Sequence, residues 1–164
     1  MNLLLVRHAE AEDATVSGSD YTRKLTAHGH ASAAGVAQGL QQCIKGSVLL
    51  WSSPLLRTRE TAAYIADALS CPVDRYHEGI PAGDLDTLRQ DWQVLAKAPD
   101  TLILVGHQPY LGHWCAALTG VVLPVKKAAA IAIALAENDA LPGQLLWYAL
   151  PEVLGGMRRA VGNL

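Results

Sequence analysis

Thr101-Leu102-Ile103-Leu104-Val105-Gly106-His107 is an apolar run of strand length that stops at a glycine and a histidine. Pro99-Asp100 punctuates it on one side and Gly106 on the other, so residues 101–105 read as a strand. It shows no alternation of polar and apolar side chains after Thr101. A strand of that kind is buried on both faces, as in a parallel sheet with helices above and below it. Leu3-Leu4-Leu5-Val6 has the same character, and so does Val48-Leu49-Leu50-Trp51, entered from Gly46 and followed by Pro54.

Helix-length segments separate these runs. Thr26 offers an N-cap for a helix over 27–42, although Gly29, Gly35 and Gly39 weaken it. Further helices are expected over 58–69, over about 85–96 and after Pro109, which suits a first helical turn. A weaker strand over 72–76 precedes a loop containing Glu78, Gly79, Pro81 and Gly83. Two late strands, near 130–135 and 144–150, flank the turn residues Asn138, Asp139, Pro142 and Gly143. The alternation predicts a three-layer α/β/α sandwich with a mostly parallel central sheet. With no repeat, low-complexity stretch or linker, residues 1–164 are expected to form one domain.

The bulk numbers narrow the partners. The 164 residues are 51% hydrophobic and 17% charged, enough for a sizeable core, and the net charge is −2. Nothing global attracts nucleic acid or an anionic membrane, so neither is expected as a partner and any anion site must be built locally. Cys43, Cys71 and Cys115 are too scattered for a disulfide framework or a thiolate zinc site, and a reducing cytoplasm is the expected compartment. The opening seven residues are too short and too soon charged for a signal peptide. The longest apolar run, Ala128 to Ala136, is far below the roughly 18–20 residues that cross a bilayer.

In parallel sheets the ligand crevice lies outside the carboxyl ends of the strands. Three polar clusters fall there: Arg7-His8, Ser52-Ser53-Pro54 and Gly106-His107. Covalent phosphoryl transfer needs a nucleophile and cations around a spreading oxyanion charge. A neutral His8 can attack, and surrounding cations would hold its pKa down. Arg7 and Arg57 can each bind phosphate oxygens with a planar fork, and His107 can donate a further hydrogen bond. A histidine after a strand is nevertheless often ordinary, and 55–60 could be a solvated helix start. Two arginines near a helix N-terminus are unhelpful unless an anion binds there. Spacing alone leaves phosphate binding and a plain polar surface equally open.

Longer motifs tip that balance. Val6-Arg7-His8-Ala9-Glu10 resembles the R-H-G or R-H-A signature of the histidine phosphatase superfamily, which includes phosphoglycerate mutases. Residues 52–62, Ser-Ser-Pro-Leu-Leu-Arg-Thr-Arg-Glu-Thr-Ala, resemble its S-S-P-x-x-R-A-x-x-T-A signature, and Gly106-His107-Gln108-Pro109 its G-H-x-P element. The resemblance implies a phosphoglycerate mutase-like fold in which His8 is phosphorylated and Arg7, Arg57 and His107 complete the phosphate pocket. Arg57, not Arg59, falls on the motif position. Arg23-Lys24-Leu25-Thr26-Ala27-His28-Gly29, the loop 78–84 and His107-Gln108-Pro109-Tyr110-Leu111-Gly112 are most similar to the small SixA-type phosphohistidine phosphatases. The short chain leaves little room for a large cap insertion.

The leading expectation is therefore a cofactor-free, monomeric phosphatase acting on phosphohistidine proteins. A small phosphate ester is the alternative substrate, and a phosphate- or protein-binding module that has lost turnover is the alternative of another class. An ester needs a proton donor for its leaving group, for which Glu78 is the first candidate and Asp84 the second. For Asp84 the favoured reading is a cap on the following helix. Arg23 is a candidate for contact with phosphate or substrate, with a surface role as the other reading. His28, His30 and His77 are expected to be solvated, and the spacing of His107 and His113 does not suit a metal. No Walker phosphate loop, dinucleotide fingerprint or G-x-S-x-G elbow is present.

Overall fold

The computed structural model describes residues 1–136 and 140–161. Six strands form one sheet: β1 (Asn2–Arg7), β2 (Val48–Ser52), β3 (Arg75–Tyr76), β4 (Thr101–Gly106), β5 (Ala130–Ala134) and β6 (Gln144–Ala149), in the spatial order β3-β2-β4-β1-β5-β6. The first four are mutually parallel, whereas β5 runs antiparallel to β1 and β6 antiparallel to β5. The run that opened the sequence reading is β4, buried at all six positions because it pairs with β1 on one side and β2 on the other.

Period-two alternation divides the strand side chains between two cores. Leu4, Val6, Leu50, Ile103 and Val105 pack against α2 (Ala27–Cys43), α3 (Leu56–Leu69) and α7 (Pro151–Val161). Leu3, Leu5, Trp51, Leu102 and Leu104 pack against α4 (Gly79–Ala82), α5 (Leu85–Gln93) and α6 (Tyr110–Thr119). The result is the expected three-layer sandwich with no large insertion.

Most local signals act as their chemistry suggests. The Thr26 hydroxyl accepts the Gly29 amide at 3.0 Å to cap α2. Asp84 accepts the Thr87 amide at 3.0 Å to cap α5, which is the capping role weighed for it. Some boundaries differ: α3 begins at Leu56 rather than Thr58, α5 stops at Gln93 rather than about 96, and the strand over 72–76 shrinks to Arg75–Tyr76. The short helices α1 (Ala14–Ser17) and α4 and a 3₁₀ turn over Asp20–Thr22 give no hydrophobic period and were not anticipated. The turn residues Asn138 and Asp139 lie outside the described residues.

Glycines that weaken α2 as an isolated helix let it pack in the fold. A Cβ on Gly39 would overlap the Leu154 carbonyl oxygen of α7, and one on Gly29 would overlap the Glu10 carbonyl oxygen. Gly35 faces Gly155 across the same helix pair. These glycines set how closely α7 and the loop after β1 can approach α2. Propensity alone makes Gly39→Ala stabilising by about 1 kcal/mol, but overlap with backbone should make it destabilising by about 1–3 kcal/mol. Gly156→Ala, with nothing within 4 Å of the added carbon, should stabilise by about 0.5–1 kcal/mol. Urea unfolding of the two variants checks the opposite signs; a stabilised Gly39→Ala would mean that α7 does not seat on α2 this way.

Candidate active site

The ends of three strands are locked together before any side chain is considered. Register pairs Arg7 with Gly106 and Ser52 with Val105. The ladder continues one step further, with the His8 amide on Gly106 O at 3.1 Å and the Ser53 amide on Val105 O at 3.0 Å. Thr61 of α3 ties the loop after β1 to the helix: its hydroxyl accepts the Ala9 amide at 3.1 Å and donates to Arg57 O at 2.8 Å. His8, Arg57, His107 and Ser53 are thereby buried side by side at one edge of the sheet.

Hydrogen-bond partners assign the protons of both imidazoles. His8 Nδ1 lies 2.7 Å from Ala9 O, and a carbonyl only accepts, so Nδ1 carries the hydrogen and Nε2 is bare. The Nε–H of Arg57 points at that bare nitrogen from 3.3 Å. His107 has the opposite tautomer. Its Nδ1 accepts from Arg57 Nη2 at 3.3 Å, and its Nε2–H donates to Ser53 Oγ at 2.8 Å. One guanidinium therefore bridges the lone pairs of two neutral histidines whose ring centres are 5.3 Å apart.

Burial and charge keep both rings neutral. The His8 pKa is pushed down to about 3, first by burial and then by His107, Arg57 and Arg7, against the opposing bond to Ala9 O. His107 falls to about 4 through burial and then Arg57, with Asp20 opposing. The direction agrees with the argument from neighbouring cations, but burial is the larger cause.

Other site candidates lie at different removes. Arg57 Nη1 donates to Asp20 O at 2.7 Å and Nη2 to its carboxylate at 3.1 Å. Arg23 donates to the same carboxylate at 3.0 Å and to Glu12 O, so it joins the cluster through Asp20. Burial pushes the Asp20 carboxyl up, but hydrogen bonds from Arg23 and Arg57 outweigh it, and the group stays an anion. Arg7 donates to Val125 O at 2.8 Å and acts on the two histidines by charge rather than by a direct bond. Glu78 is exposed at the start of α4, and its carboxylate joins nothing in the cluster among the described residues.

Sequence reasoning assigned no role to Ser53 or Asp20. Ser53 sat in a quoted cluster, yet nothing in the sequence aims its hydroxyl at His107, and Asp20 lies in a plain polar loop. His77 corrects an expectation. It is buried, stacked on Trp51, bonded through Nε2 to Asp91 at 2.8 Å, and accepts the Gly79 amide at 3.0 Å. A ring that braces a tight turn has no periodic signature. His30 likewise contacts the Tyr64 hydroxyl at 3.1 Å, whereas His28 is exposed as expected.

Comparison with known proteins agrees with this geometry. Residues 3–80 match the family model of the histidine phosphatase superfamily, branch 1. An uncharacterized protein of Picosynechococcus sp. is 38% identical over 139 residues, 81% of this chain and 84% of its own. A solved structure of the protein histidine phosphatase SixA complexed with tungstate superposes with a TM-score of 0.79 at 26% identity, covering 94% of this chain and 99% of that one. A phosphoserine phosphatase of Entamoeba histolytica shares the fold at 15% identity and a TM-score of 0.65, over 92% of this chain and 98% of its own. The chain belongs to the histidine phosphatase superfamily and is a phosphatase of that class. Within it, the architecture is SixA-like. No helix among the described residues is long and apolar enough to cross a membrane.

The tautomers and depressed pKa values have a stability consequence. Both histidines hold their folded pKa below the ordinary value of 6.5, so the unfolded chain takes up these protons first as pH falls. Their contribution is whole above about pH 6.5 and drains toward pH 4 and then 3. Unfolding free energy should rise with pH across that window, and His8→Gln/His107→Gln should flatten the slope. Nitrogen NMR of the imidazoles should show hydrogen on Nδ1 of His8 and on Nε2 of His107 at pH 6; an unchanged slope or the reverse tautomers would remove the assignment.

Proposed function

We propose that this phosphatase hydrolyses phosphohistidine on a protein through a phosphoryl group carried on His8. The observation that supports this most is the bare Nε2 of a buried, neutral His8, held against the Arg57 guanidinium. The nucleophile needs no base to activate it, because burial and cations already exclude the imidazolium. The SixA structure held tungstate, a tetrahedral oxyanion of the same charge class as phosphate.

In the first step the Nε2 lone pair attacks phosphorus and the bond from phosphorus to the substrate imidazole breaks. The departing nitrogen takes a proton from water, and the hydroxide this leaves is neutralised by the proton that the attacking water loses in the second step. The donors of Arg57, now spent on two histidine lone pairs and on Asp20, are free to turn to the phosphoryl oxygens, where charge-assisted bonds are stronger. As phosphate charge arrives beside His107, its imidazolium form becomes favourable, and Nδ1 then becomes a donor to an equatorial oxygen. Arg7 adds positive charge from the other side. Water next attacks phospho-His8, releasing inorganic phosphate and restoring the neutral ring. The sum is phosphohistidine plus water giving histidine plus phosphate.

The substrate preference follows from the protons the site lacks. Among the described residues, the carboxylate in the cluster is that of Asp20, and two arginines keep it ionised. An alkoxide leaving group needs a proton donor, and Asp20 is a poor one. The nitrogen of a phosphoramidate leaves more readily. A chain without a large insertion also leaves room for a protein-borne group. Arg23, bonded to the same Asp20 carboxylate that holds Arg57, steadies that loop from behind.

Turnover of a phosphohistidine protein should exceed that of phosphate monoesters, and His8→Ala should abolish it. Glu78→Gln should leave it within about threefold, since loss of a working acid costs about 10²–10⁴. Arg57→Lys, which loses the fork, should cost about 10-fold or more in kcat/KM. Efficient ester hydrolysis with a hundredfold loss in Glu78→Gln would instead establish a small-molecule phosphatase with Glu78 as its acid.

A further inference from the structure

Beside the His8–Arg57–His107 cluster lies an open groove of about 830 Å³. Its walls are the start of α2, the Lys126-Lys127 turn and the start of α7, and Arg7 also lines it. Small residues line it: Ala31 and Ser32 on α2, and Gly35, which faces Gly155 on α7. Arg7 is therefore shared between groove and cluster. Its Nε is shut away from solvent without a hydrogen-bond partner, a cost left standing in this otherwise well-paired edge.

The turn that carries the two lysines is strained. Ala128 adopts φ +58°, the left-handed region, although it is not glycine. That conformation is unfavourable for a residue with a Cβ and persists only where its surroundings impose it. Here they do: the Ala128 amide is held by His8 O at 3.1 Å, and the Arg7 amide by Ala129 O at 3.0 Å. The strained turn thus fixes Lys126 and Lys127 directly to the strand end that bears the proposed nucleophile. Both lysines are exposed, and neither forms an ion pair among the described residues. Glu10 and Glu152 also line the groove, but Glu10 already accepts the Thr26 hydroxyl at 2.9 Å.

On the phosphohistidine reading above, we propose that this groove is the docking surface for the substrate protein, taking an acidic segment next to the phosphohistidine. Lys126 and Lys127 meet its carboxylates while Arg7 spans from them to the phosphoryl group. A pocket for a small molecule would enclose its ligand and place buried forks around it. Exposed lysines at the rim of an open groove instead suit steering and register of a protein surface, on a chain whose overall charge is −2.

Charge reversal, Lys126→Glu/Lys127→Glu, tests the groove in two ways. kcat/KM for a phosphohistidine protein with an acidic surface should fall about tenfold or more, mainly through KM. Turnover of p-nitrophenyl phosphate should stay within about twofold. The wild-type advantage on the protein should shrink as salt rises. Separately, titration with a poly-glutamate peptide should shift the amide NMR signals of Ser32, Gly35, Lys126 and Lys127 in the wild type but not in the variant. The titration reads the groove whether or not the enzyme turns over phosphohistidine, so failure of the proposed reaction shows in the wild-type kinetics alone. Peptide shifts elsewhere or none would overturn the docking surface. So would unchanged protein kinetics in the variant, or an equal loss on p-nitrophenyl phosphate, which would make the turn part of the phosphate site.

Discussion

Arg57 is a buried cation at the start of a helix, a position whose dipole repels positive charge, and the site is organised around satisfying it. It is only 6% exposed. It carries five donor hydrogens, and four of them meet acceptors: two imidazole lone pairs, a backbone carbonyl and a carboxylate. Each acceptor is fixed in turn. His8 is oriented by Ala9 O, His107 by Ser53, and Asp20 by a 3₁₀ turn and Arg23. The guanidinium thereby sets the tautomers of both histidines, and those tautomers decide which nitrogen can act. An anion arriving in this place would relieve the same electrostatic tension that Asp20 now relieves.

The sheet was legible because its central strands are buried on both faces. Leu3–Val6, Val48–Trp51 and Thr101–Val105 lack alternation, and the strand ends that carry Arg7, Ser52 and Gly106 follow from that reading alone. Thr26 and Asp84 revealed helix starts because a cap is a local device. Less legible was everything decided by distant contact. Gly29 and Gly39 look like flaws in α2 until Glu10 and Leu154 are seen against them. His77 looks solvated until Trp51 and Asp91 close over it. Whether the segment 153–164 packs on the domain could not be read from the sequence, since the partner of α7 is a helix more than a hundred residues earlier.

The candidate site divides in the same way. Histidines and an arginine at strand ends suggest phosphate chemistry but leave it level with a solvated surface, and the family motifs decide between them. Motifs name positions, however, and not protons. That His8 keeps its hydrogen on Nδ1, that His107 keeps its own on Nε2, and that Asp20 rather than Glu78 touches the cluster all depend on loop backbone geometry. Arg7, which the motif places in the phosphate pocket, stands at its edge and faces the neighbouring groove as well.

The central claim is that Nε2 of His8 receives the phosphoryl group. Mixing the enzyme with a phosphohistidine protein, quenching in alkali within milliseconds and mapping the phosphorylated peptide tests it most directly. The account predicts phosphate on His8 alone, as the Nε2 isomer, because Nδ1 is committed to Ala9 O. Phosphate on another residue, on Nδ1, or on no residue while inorganic phosphate is still released would contradict it.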